Sequence, residues 1–107
     1  VISHYVLNSA GEPRVEADFI KWAMWFDSSM EIRRVDFEQV GDAAISTVFL
    51  GIDHSYGEEE APILWETVVF GGSLAGERNR CGGSREQAEA MHAEMVERVC
   101  AVHALAE

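Results

Sequence analysis

The sequence predicts an α+β fold, an antiparallel four- to five-stranded meander sheet with two helices packed on one face. Three observations predict it. Strand-like stretches follow one another between residues 31 and 70 with no helical pattern between them, which favours hairpin connections over crossovers. One stretch near the start and one closing the chain carry the 3.6-residue apolar period of amphipathic helices. The 107 residues, 48% hydrophobic and 25% charged, suffice for one core and leave no room for a second, so a single α+β domain is expected over residues 1–107.

Residues 2–8 mix β-branched and aromatic side chains and run into Ser9-Ala10-Gly11-Glu12-Pro13, so a strand and then a turn are expected. Phe19, Trp22, Ala23 and Phe26 follow at the i, i+3, i+4, i+7 spacing of one helical face and predict a helix over about 16–29. Ile20, Met24 and Trp25 lie off that stripe. Trp25 is read either as a ring packed under a loop or sheet edge, or as an aromatic anchor exposed for a partner, since tryptophan is enriched at interface hot spots. Between residues 31 and 40, Val35 and Phe37 alternate with Arg34, Asp36 and Glu38, the period of a half-exposed strand.

Gly41-Asp42 then turns the chain. Residues 43–52 are apolar on both alternating sets, which places that strand in the middle of the sheet. A polar loop over 53–62 joins it, as a hairpin, to a further strand over 63–70, and a short extended piece is expected through Arg78 and Arg80. Ser84 is a good helix N-cap with Gln87 at the capping-box position, so the closing helix begins there. Along it Ala88, Met91, Met95, Val99 and Val102 share one face, with His92 and His103 read as boundary residues at its edge. Glu86, Glu89, Glu94 and Glu97 gather opposite.

Charge narrows the function classes. With 19 Asp and Glu against 8 Lys and Arg, the formal net charge is −11, a field that repels nucleic-acid phosphates and anionic membranes and attracts basic protein surfaces. Direct nucleic-acid binding is therefore not expected. No apolar run reaches the roughly 18 to 20 residues that cross a bilayer, and the start lacks a basic segment followed by a long apolar one, so a cytosolic protein is expected. Cys81 and Cys100 are read as free thiols, because one bridge in a domain with its own core is not a disulfide scaffold.

Three constellations could carry function. Asp53-His54 pairs a carboxylate with an imidazole, which suits general acid–base chemistry or metal binding; the simpler reading is a turn-stabilising Asp beside a surface His. No third residue completes a hydrolase-like site, and no CxxC, helical HxxxH or Walker-type glycine loop is present. Hence no catalytic residue, metal or cofactor is assigned. Arg78, Arg80, Gly83, Ser84 and Arg85 combine guanidinium groups with glycines before a capped helix, a pattern that can hold an anionic nucleotide or metabolite. Finally, Glu58, Glu59 and Glu60 in the central loop, with the Glu86, Glu89, Glu94 and Glu97 stripe, could mimic a phosphate backbone or dock on a basic protein; a solvated helix face is the simpler reading.

The blocks STVFLGIDHSYG (46–57), LWETVVFGG (64–72), Gly76-Glu77 and SREQAEAMH (84–92) resemble, in the same order, a group of small phage- and prophage-encoded proteins with no assigned activity. The resemblance covers about half of the chain and implies an accessory protein in a bacterial host cytosol. Such proteins often block host defence by binding it. The expected function is thus a non-enzymatic inhibitor of a host protein with a basic surface, with CRISPR or other defence components among its targets, contacted through the glutamates and Trp25. Two alternatives stay open: an anionic-ligand sponge using residues 78–85, and a hydrolase-like enzyme using Asp53 and His54. Homodimerisation also stays open.

Overall fold

The computed structural model describes residues 3–55 and 61–106. A two-stranded hairpin, β1 (Tyr5–Leu7) and β2 (Pro13–Val15), opens the chain. It is followed by α1 (Phe19–Ser28), the single turn α2 (Met30–Arg33), and the strands β3 (Arg34–Val40), β4 (Ala43–Phe49), β5 (Trp65–Phe70) and β6 (Arg78–Cys81). The helix α3 (Arg85–Ala106) closes it. The four later strands form an antiparallel meander in the order β3-β4-β5-β6, as expected, with β4 and β5 in the interior. Strand β2 went unanticipated beyond the turn expected over Ser9 to Pro13; Asn8 folds the chain back by accepting the backbone N–H groups of Ala10 and Glu12 on its side chain, at 2.9 Å each, and Pro13–Val15 then pairs with β1.

Alternation on β4 builds the core. Ala43, Ile45, Thr47 and Phe49 are buried while their neighbours are half-buried, and on β5 Trp65, Thr67 and Val69 do the same. Helix α3 lies across this face, burying Ala88, Met91, His92, Met95 and Val99. Its reciprocal capping box forms as the sequence predicts: the Gln87 backbone N–H donates to Ser84 Oγ and the Ser84 N–H to Gln87 Oε1. Phe49, Trp65, Ile45 and Leu64 are almost wholly enclosed, and each such side chain contributes about 1.5–3 kcal/mol of burial free energy.

Helix α1 covers most of the face expected of it and adds Trp25 from the second apolar group. Trp22 is buried and Ala23, Trp25 and Phe26 are half-buried, with Ser29 enclosed just past the helix, while Phe19, at the head of the predicted stripe, stands 58% exposed. Polar anchoring decides the rotation. The Trp22 indole N–H donates to the carbonyls of both Tyr5 and Gly51, 3.0 Å each, so this ring must face β1 and the turn after β4. Gly51 has a φ of +75°, and a Cβ there would meet the Phe26 ring at 3.0 Å. Asp18 caps the helix by accepting the N–H groups of Ile20 and Lys21. Thus α1 packs on β1 and reaches the core of the sheet through Trp25.

A second correction concerns β3. The register shifts between Arg34 and Asp36, a bulge that leaves Val35 packed on the core yet sends the following residues to faces opposite to simple alternation. Asp36 pairs with Thr47 and Glu38 with Ile45, so both acids stand on the α3 side, whereas Phe37 pairs with Ser46 on the far side and is 47% exposed. The first residues of the strand expected over 31–40 are helical instead, in the single turn Met30–Arg33.

Candidate functional site

The described residues of the predicted constellations have definite places. The Asp53 carboxylate accepts the backbone N–H groups of Ser55 at 2.8 Å and Ile63 at 3.0 Å, pinning the chain where it leaves and re-enters the sheet. Burial pushes its pKa up, but bonds from the Ser55 hydroxyl and from the Ile63 and Ser55 N–H groups, with attraction to His54, outweigh burial and hold it below the ordinary carboxylate value. His54 Nδ1 lies 2.9 Å from the Ile52 carbonyl. Both side chains are therefore engaged in shaping a turn.

The arginine group divides into two. Arg80 Nε donates to Glu66 at 2.7 Å and Arg78 approaches the same carboxylate at 3.7 Å, both on the sheet face away from α3. Gly83, Ser84 and Arg85 instead border a shallow groove with Gly11 and Arg14 of the opening hairpin. Even there the Arg85 guanidinium donates to the carbonyls of Ile32 and Arg34, and Arg14 is paired with Glu12. The geometry does not gather these guanidinium groups around one anion.

Of the acidic surface, Glu86, Glu89, Glu94 and Glu97 are all exposed along α3, while Glu58, Glu59 and Glu60 lie outside the described residues. Trp25 is half-buried, its ring edge-on to Phe49 with centroids 6.1 Å apart, so it completes the core cluster instead of standing free as an anchor. Several exposed apolar side chains are near it in the chain: Phe19, Ile20, Met24, Met30 and Ile32 are between 54% and 69% exposed. Cys81 and Cys100 are free thiols, and burial pushes the Cys81 thiol pKa up.

A further group was not anticipated. Thr47 and Thr67 face each other across β4 and β5, fully buried, with their hydroxyls bonded to one another at 2.5 Å. Thr47 Oγ1 also bonds His92 Nδ1 at 2.7 Å. His92 is thus no boundary residue; it is 2% exposed and its other nitrogen, Nε2, has no hydrogen-bond partner among the described residues. That nitrogen faces Asp36, whose Oδ2 lies 3.7 Å away, and one ligand atom each from Asp36, Glu38 and His92 can be chosen so that all lie within 4.8 Å of one another. Spacing along the chain could not reveal a trio drawn from residues 36, 38 and 92. The usable signal was His92 standing between Ala88 and Met95 on an apolar arc.

No protein-family model matches the chain, and no curated protein or solved structure is significantly similar to it. No helix among the described residues is long and apolar enough to cross a membrane.

Proposed function

We propose that this chain is a non-enzymatic binding protein of phage or prophage type that docks on a host protein with a basic surface and inhibits it. The observation that carries this reading is the apolar strip of residues 19–32, where Phe19, Ile20, Met24, Met30 and Ile32 are more than half exposed. Five large apolar side chains left open on one short segment are unusual for a surface that meets only water. Asp18, Asp27 and Glu31 are exposed on the same segment. An apolar centre with a charged rim is the usual anatomy of a protein interface. The net charge of −11 favours a basic partner and speeds the encounter, and the glutamates of α3 extend the same field. The resemblance to phage-encoded accessory proteins supports a host target, defence components among them.

The test is native mass spectrometry of the protein expressed in a bacterial host and purified without denaturation. A stoichiometric protein partner is expected that dissociates in raised salt and is lost from an Ile20→Asp/Met24→Asp variant. Those positions are exposed, so the variant should keep its circular dichroism and change stability by no more than about 0.5 kcal/mol. Retention of the partner by the variant, or a mass showing only a second copy of this chain on the strip, would overturn the reading.

A further inference from the structure

We propose that His92, Asp36 and Glu38 bind a single divalent transition-metal ion of the zinc class, which ties the edge strand β3 to α3. The site rests first on His92. Its Nε2 is enclosed and has no hydrogen-bond partner among the described residues, and a buried polar atom left unpaired is normally strongly disfavoured. Its Nδ1, by contrast, is held at 2.7 Å by Thr47, which is held in turn by Thr67. Histidines that ligate metals characteristically have the second ring nitrogen fixed in this way by an outer polar group. With the Nδ1–H donating to Thr47 and the Thr47 hydroxyl donating to Thr67, Nε2 presents a lone pair toward the two carboxylates.

Distances agree with an ion between these groups better than with direct bonds. The 3.7 Å from Nε2 to Asp36 Oδ2 is too long for a hydrogen bond. Two ligands that each lie about 2.0–2.2 Å from a tetrahedral zinc stand about 3.3–3.6 Å apart, which is close to this separation. Glu38 is exposed and sits two residues along the same face of β3, so its carboxylate can close the remaining gap by side-chain rotation. An imidazole nitrogen with two carboxylates suits zinc and its neighbours, while calcium and magnesium favour oxygen-only sets. A neutral imidazole adds no charge, so two carboxylates balance one divalent ion. Three protein ligands leave a fourth tetrahedral position for water.

The bulge in β3 is what makes the site. Simple alternation would send Asp36 and Glu38 to the face away from α3, whereas the register shift after Arg34 brings both to His92. The inference is independent of the partner-binding reading, which uses a different surface.

The test uses the full chain, freed of metal with a chelator, and two probes: zinc chloride in thermal unfolding and cobalt chloride in visible absorption. One equivalent of either ion should saturate the protein, raising the melting temperature with zinc and giving the d–d bands of tetrahedral cobalt. In proton–nitrogen spectra of the imidazoles, zinc should move the His92 Nε2 resonance. Asp36→Asn/Glu38→Gln, at two exposed positions, should keep the fold and lower affinity at least tenfold, and Thr47→Val should lower it by about 10–100-fold through the loss of the outer partner. No saturable binding, binding unchanged in the double variant, or a response confined to the other three histidines would overturn the proposal.

Discussion

Asp53 and His54 are neighbours in the chain, whereas Asp36 and His92 meet only because β3 lies along α3. The adjacent pair is the one a reader of the sequence notices, yet its carboxylate is occupied by two backbone N–H groups and its imidazole Nδ1 by a carbonyl. The distant pair has a buried imidazole with one nitrogen fixed and the other facing exposed acids. An acid next to a histidine is thus poor evidence of chemistry when the local backbone absorbs both, and capacity to bind something remains where the fold leaves a polar atom unanswered.

The largest expected effect separates the two histidines by their place in the core. His92→Ala should cost about 2–4 kcal/mol, since it opens a cavity under α3 and strips Thr47 of a partner, while His54→Ala should cost no more than about 1.5 kcal/mol. Urea unfolding of both variants checks this, and equal losses would break the contrast. Next, Asp53→Asn should cost about 1–3 kcal/mol at neutral pH, because the amide is a weaker acceptor for two buried N–H groups. The Asp53 pKa is lowered on folding. Its ionised contribution is therefore fully present above the unfolded value near 4 and is lost as the pH falls through the lower folded value. Stability curves of wild type and variant should converge below that range; a gap that stays constant into acid would show that the carboxylate charge plays no part. The smallest effect is expected at the other pair: without metal, Asp36→Asn and Glu38→Gln should each change stability by no more than about 0.5 kcal/mol. A larger loss would mean that these acids already hold β3 against α3 on their own.

Much of the architecture was legible locally. Ser84 and Gln87 marked the start of α3, Gly41-Asp42 marked the β3–β4 turn, and the doubly apolar run after it marked an interior strand. These features depend on a few adjacent residues, so propensity and turn chemistry suffice to read them. How far the covered face of α1 extends was not legible: Phe19 at its head is left in water while Trp25 from the second apolar group joins the core, with the Trp22 indole fixing the rotation through carbonyls of Tyr5 and Gly51. For the same reason Trp25 could be placed on the helix but not in the core.

The candidate site was the least legible part. Alternation along β3 is a local pattern, and a single extra residue reverses it; nothing in the order Arg34-Val35-Asp36 signals the bulge that the pairing with β4 imposes. Composition and periodicity alone were enough to establish an acidic α+β domain, the meander of its four later strands and its long closing helix, since those follow from burying one apolar face per element. Which acids stand beside His92, and which apolar side chains stay in water along α1, was settled only when strands took their register and helices their rotation, because both are choices among nearly equivalent local patterns that long-range contacts decide.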